Sequence, residues 1–131
     1  MTLASDGLEH AVELLDRAFN EGDLEAVLGF YEDAAVVVAE PNRLVRGKSE
    51  LASFFQSAMQ SGLTAKQLRT RVIEADGVAL FHSRWLLTAS RDITNREPRT
   101  FVAATVLRRQ PDGSWKALID NLIGPLFLES A

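Results

Sequence analysis

The chain has 131 residues, a formal net charge of −4, 47% apolar and 24% charged residues, and no cysteine. That length suits a single domain over residues 1–131 that buries roughly two-thirds of its unfolded surface, and the composition excludes a disordered, highly charged segment. Disulfides and thiolate metal sites are excluded too, a reducing compartment fits, and without a basic-then-apolar leader or an apolar run near ~18 residues the expectation is a cytoplasmic protein with no membrane partner.

Ser5 stands where it could cap a first helix, in which Leu8, Val12, Leu15 and Phe19 recur at helical spacing until Asn20-Glu21-Gly22 stops it. Asp23 caps a shorter second helix whose Leu24, Val27, Leu28 and Tyr31 share a face. A short β-branched strand follows at Ala34–Val38, ended by Pro41-Asn42, with Leu44-Val45-Arg46 as its return. A third helix opens near Gly47-Lys48-Ser49, carries Leu51, Phe54, Phe55, Ala58 and Met59 on one side, and gives way at Gly62. From Thr64 onward the apolar period changes to two, which predicts four long antiparallel strands. Asp76-Gly77 and Asp112-Gly113 mark tight hairpin turns, and the polar run 90–98 reads as a hairpin loop.

These turns set registers. A two-residue turn at Asp76-Gly77 puts Val72 opposite Phe81 and Leu68 opposite Trp85 on one face, with Arg71 opposite His82 and Arg69 opposite Arg84 on the other. The same construction at Asp112-Gly113 puts Thr105 opposite Asp120 and Leu107 opposite Leu118, and on the reverse face Val106 opposite Ile119 and Ala104 opposite Asn121. A sheet with helices on one side only should be polar on the other. The second apolar surface therefore predicts a homodimer through the convex sheet face, centred on Ala104, Val106, Ala117 and Ile119, with His82 and Arg84 nearer the rim.

Charge is unevenly spread: residues 1–40 hold ten acids and one base, residues 61–110 nine bases and four acids. Acidic helices facing basic strands explain this, and a nucleic-acid partner, which would want an overall basic chain with exposed aromatics, is not expected. The glycines are isolated, so no dinucleotide turn or phosphate loop can be drawn. His10 and His82 stand alone and the carboxylates form no ligand-spaced cluster, so neither a metal nor another cofactor is expected.

The order helix, helix, short strand pair, helix, four long strands, together with Asn20-Glu21-Gly22-Asp23-Leu24, Phe30-Tyr31-Glu32-Asp33-Ala34, Glu40-Pro41, Arg46-Gly47-Lys48-Ser49-Glu50-Leu51 and Asp112-Gly113-Ser114-Trp115-Lys116, resembles the nuclear transport factor 2-like superfamily. The resemblance spans about residues 5–125 and is to the ketosteroid-isomerase-like and SnoaL-like polyketide-cyclase branches. It implies an α+β fold in which a strongly curved antiparallel sheet forms a cone closed by three N-terminal helices, a cystatin-like α+β barrel with ligands inside. Carried over residue by residue, the isomerase's general base falls at Glu40, its oxyanion-binding tyrosine at Leu15 and its second oxyanion-hole acid at Thr105. Leu15 has no donor, so that oxyanion hole is largely missing and steroid isomerisation is not expected. Asp120 resembles in location the acid/base aspartate of SnoaL-like cyclases.

Two functions from different classes stay open. One is a cofactor-independent isomerase-, cyclase- or dehydratase-like enzyme acting on a hydrophobic or aromatic metabolite, with Asp120 and Glu40 as acid–base carboxylates and Leu15, Tyr31, Phe55, Phe81, Trp85, Phe101, Thr105 and Leu118 lining the pocket. The other is a non-catalytic ligand-binding or oligomerisation domain. A void with an unpaired carboxylate favours the first, a filled interior with a salt-bridged Asp120 the second.

Overall fold

The structure, a computed structural model, describes residues 4–89 and 99–129. Its elements follow one another as α1 (Ala4–Glu21), α2 (Leu24–Gly29), β1 (Tyr31–Glu40), β2 (Arg43–Arg46), α3 (Gly47–Gln60), β3 (Leu63–Ala75), β4 (Val78–Ala89), β5 (Arg99–Arg109), β6 (Trp115–Asn121) and a 3₁₀ segment, Gly124–Glu129. The expected loop at 90–98 lies outside the described residues. Ser5 is already inside α1 and is therefore not its N-cap, whereas Asp23 caps α2 by accepting from the Ala26 N–H at 3.2 Å. Tyr31 does not continue the α2 face. It opens β1, because the Ala117 N–H bonds the Phe30 carbonyl at 2.8 Å and draws the chain into the sheet there.

The six strands lie in the order β2-β1-β6-β5-β4-β3. Neighbours run antiparallel except β1 and β6, which are parallel. A parallel pair needs a long connection, and everything from β2 to β5 supplies it. This α+β sheet is curved, and its curvature has identifiable causes in the bulges, which bend a strand and increase its twist.

At Asp76-Gly77 both turn residues have positive φ (53° and 77°) and Ala75 pairs with Val78, so the two-residue hairpin and the pairs Val72–Phe81, Arg71–His82 and Arg69–Arg84 are as expected. Beyond Arg69 the register shifts: Gln67, not Leu68, faces Trp85, and Leu68 bulges outward, 48% exposed. The second hairpin differs as well. Gln110 and Ser114 close the loop, leaving Pro111-Asp112-Gly113 as a three-residue turn with Gly113 at φ 88°. Leu107 consequently pairs with Ala117, not Leu118. A second bulge, at Leu118, restores the expected pairs Val106–Ile119, Thr105–Asp120 and Ala104–Asn121. Ala117 faces the core and is fully buried, which removes it from the outer apolar patch.

The helices pack on the concave side. Leu8 and Val12 of α1, Val27 of α2 and Leu51 and Phe55 of α3 meet Tyr31, Val37 and Leu107 of the sheet in one core. Each such large side chain contributes on the order of 1.5–3 kcal/mol by leaving water. Asn20 then fastens α1 to the sheet edge: its Nδ2 donates to the Ala65 carbonyl at 3.0 Å and its Oδ1 accepts from the Ala65 N–H at 2.8 Å, pairing backbone that an edge strand leaves open.

Candidate active site

Between the helices and the concave face lies a cavity of about 550 Å³, within the range of small-molecule sites. Its walls are mostly apolar and aromatic. β4 sends in Phe81, Ser83 and Trp85 at alternate positions, and β5 sends in Phe101, Ala103 and Thr105. The Trp85 and Phe101 rings stack at 5.1 Å, and the Trp85 Nε1–H is held by the Leu122 carbonyl at 3.0 Å. Tyr31 and Phe55 pack at 5.3 Å beneath the helices.

Asp120 is the buried carboxylate of this chamber, 6% exposed. Its Oδ2 accepts from the Tyr31 phenol at 2.7 Å and its Oδ1 from the Thr105 hydroxyl at 2.8 Å. Burial disfavours the charged carboxylate and raises its pKa; the two hydroxyl donors oppose that without cancelling it. Tyr31 is pushed well above its ordinary value, first by burial and then by Asp120, so the phenol stays protonated and donates. Among the described residues no arginine or lysine is paired with Asp120; Arg108 and Arg109 bind Glu32 and Glu74. Arg69, Arg71 and Arg84 are exposed on the opposite face.

The cavity brings together Leu15, Tyr31, Phe55, Phe81, Trp85, Phe101, Thr105 and Asp120, with Glu40 exposed at its mouth. Leu118 is the exception. As the bulge residue of β6 it does not line the cavity, and Asp120 and Leu122 occupy the strand's inward positions there.

Asp16 and Gln67 are among the lining residues that the sequence did not single out. Asp16 falls on the apolar stripe of α1, four residues after Val12, and lines the cavity with Leu15. Burial pushes its carboxyl up to about 6, opposed by the hydrogen bond from Gln67 and helped by the smaller effects of the Asp120 and Glu13 charges. That bond, Gln67 Nε2 to Asp16 Oδ1, is long at 3.4 Å. The signal for Asp16 was in the sequence, as an acid on an apolar helix stripe; for Gln67 there was none, because only the bulge at Leu68 turns it inward.

Residues 11–118 match the SnoaL-like domain family. The chain belongs to that family. This SnoaL-like domain is also similar in fold to solved structures: a nuclear transport factor 2-like superfamily protein from Salmonella enterica serovar Typhimurium LT2 (TM-score 0.79, 16% identity, 93% of this chain and 91% of that one), a candidate ketosteroid isomerase from Shewanella frigidimarina NCIMB 400 (0.74, 18%, 91% and 94%), and a candidate dehydratase of the NTF2-like family from Streptomyces avermitilis (0.76, 18%, 90% and 93%). Other similar structures are described as having a cystatin-like fold, in keeping with the expected architecture. No curated protein matches the SnoaL-like domain in sequence. No helix among the described residues is long and apolar enough to cross a membrane.

Proposed function

We propose that this SnoaL-like domain is a cytoplasmic, cofactor-independent enzyme that binds a hydrophobic or aromatic metabolite in the cavity and moves a proton through Asp120 during isomerisation, cyclisation or dehydration. One observation carries this: a buried carboxylate with a raised pKa, held by two hydroxyls and paired with no cation among the described residues, opens onto an apolar chamber large enough for a small molecule. A carboxylate whose pKa is raised by burial holds its proton to higher pH than an ordinary surface aspartate does, which suits general acid–base work. Tyr31 and Thr105 orient it and keep the proton count on the carboxylate defined. Glu40, at the mouth, is a further carboxylate lining the same cavity. The rival function, a non-catalytic ligand-binding domain, draws on the fact that both Asp120 oxygens already have protein partners.

The test begins with native mass spectrometry of the purified protein to identify a co-purifying small molecule, followed by turnover of that compound or its precursors. Asp120→Asn preserves shape and removes titration, so binding should persist while turnover falls by about 10²–10⁴-fold. Unchanged turnover would end the catalytic role.

The outer face supports a second copy of the chain as partner. A row of apolar side chains crosses five strands there, Ile73, Leu80, Val106, Ile119 and Val36, each paired to the next, and Ile73, Leu80 and Ile119 are 64%, 37% and 44% exposed. His82 and Arg84 border it on the next rows. Apolar area left in water forfeits about 25 cal/mol per Å². Sedimentation at micromolar concentration should show a dimer that Ile119→Asp dissociates; a wild-type monomer overturns this.

A further inference from the structure

The chamber has a second polar corner that the acid–base role of Asp120 does not use. Asp16 of α1 and Gln67 of β3 both line the cavity, and the amide nitrogen of Gln67 donates to Asp16 at 3.4 Å. Only that nitrogen can donate to a carboxylate, so the amide oxygen is the atom left over. It is buried and accepts no hydrogen bond among the described residues. A buried acceptor without a donor costs about 1–3 kcal/mol, and native interiors rarely leave one. Asp16 is similarly underused: beyond that one long bond no donor among the described residues reaches it, and the other charges acting on it, Asp120 and Glu13, are both negative.

The distribution of charge around the chamber sharpens this. Among the described residues, the ionisable carboxylates inside are Asp16 and Asp120, and no lysine or arginine lines the inner wall. The lining cations, Arg43 and Arg99, are exposed, each stacked on a phenylalanine (Phe54 at 5.4 Å, Phe101 at 4.9 Å), and share the mouth with Glu40 and Glu129. A ligand anion driven into this corner would meet the Asp16 carboxylate and the Gln67 amide oxygen, both acceptors. A ligand donor would meet two acceptors already fixed in place.

We propose that Asp16 and Gln67 form a donor-accepting subsite that selects cationic or neutral ligands carrying an amine or hydroxyl on an apolar body, and rejects carboxylates. The inference rests on the reading of the cavity as a small-molecule site, and names the class of molecule it takes. The hydroxyl or ammonium of the ligand donates to the Gln67 amide oxygen and the Asp16 carboxylate, while the apolar body lies along the stacked Trp85 and Phe101. A charge-assisted hydrogen bond of this kind changes affinity by about tenfold or more.

The test uses three probes that share a naphthalene body and differ in the head group, 2-naphthylmethylamine, 2-naphthalenemethanol and 2-naphthoate, titrated calorimetrically into the full chain at about pH 7.5, where Asp16 is ionised. The amine and the alcohol should bind at least about tenfold tighter than the carboxylate. Asp16→Asn should lower the amine-to-carboxylate ratio by about tenfold, and Gln67→Met should weaken the alcohol without restoring the carboxylate. Naphthoate binding as tightly as the amine, or a ratio unmoved in Asp16→Asn, overturns the subsite while leaving the cavity a small-molecule site. Failure of all three probes to bind overturns both.

Discussion

Replacing Asp16 by Asn should make the protein more stable at neutral pH, and the size of the gain follows from the carboxyl's surroundings. Burial raises its pKa from 3.8 to about 6, so between those values the folded state binds more protons than the unfolded one. Stability then falls as pH rises through that window, because the unfolded chain releases the proton more readily. About two units at 1.36 kcal/mol each give roughly 3 kcal/mol, and partial exposure of the side chain trims this to about 2 kcal/mol. Asparagine keeps an acceptor for the Gln67 amide at the same place and carries no charge to desolvate. Asp120, whose raised pKa adds a trend of the same sign, is present in both proteins, so only its smaller coupling to Asp16 enters their difference. Urea unfolding from about pH 4 to pH 8 with a constant m-value reads this directly. The difference curve should be near zero at the acid end, rise through about pH 4–6.5 and level at about 2 kcal/mol in favour of Asp16→Asn. A flat difference, or a mutant less stable at neutral pH, would refute the burial of a charge at this site.

Two other substitutions test the frame of the chamber. Tyr31→Phe removes one of the two donors to a buried carboxylate and should cost about 1.5–3 kcal/mol by urea unfolding at neutral pH; a loss under about 0.5 kcal/mol would mean that the phenol does not hold Asp120. Gly124→Ala puts a methyl group into overlap with the Val102 carbonyl at a residue with φ +54°, so it should lower stability by more than about 2 kcal/mol, as read in thermal unfolding, whereas an unchanged melting temperature would show that the 3₁₀ segment is not seated on β5.

How far the sequence reaches is visible in particular residues. The helices and the four long strands follow from periodicity, because the switch from 3.6 to 2 near Thr64 reports which side of each element leaves water. Asp76-Gly77 was readable in full, since a two-residue turn with both φ angles positive leaves few residue choices. Asp112-Gly113 was readable only in part. Its loop is a residue longer than the pair suggests, and the pairing of Thr105 with Asp120 survives because the bulge at Leu118 compensates. Asp120 and its aromatic surroundings were accordingly legible, and the Tyr31 donor was legible as a lining residue but not as the opening of a strand. Ala117 and Leu118 exchanged sides for the same reason: alternation carries no marker for the place where it slips.

The two bulges do more than bend the sheet. Had β3 run regularly toward its start from Thr70 and Val72, which face inward opposite Ser83 and Phe81, Leu68 and Lys66 would follow them into the chamber. The bulge at Leu68 shifts the phase by one residue, so that Leu63, Ala65 and Gln67 line the cavity and Lys66 stands exposed outside. β6 repeats the device. Counting back regularly from Asp120, Leu118 and Lys116 would point inward; with Leu118 bulged, Ala117 and Trp115 take those places in the core and Lys116 pairs beside Arg108, away from it. In both strands the residue displaced from the interior side is a lysine, and in both the strand is the one that faces a buried or half-buried carboxylate, Asp16 across β3 and Asp120 on β6. A lysine turned into the chamber would add a positive charge that favours the ionised carboxylates and lowers their pKa. Each bulge exposes a leucine or leaves it half-buried, which costs some apolar burial, and in return the carboxylates face the chamber without a fixed counter-ion. A chamber built only for packing has no use for that exchange; one whose acids must hold and release protons, or accept them from a ligand, depends on it.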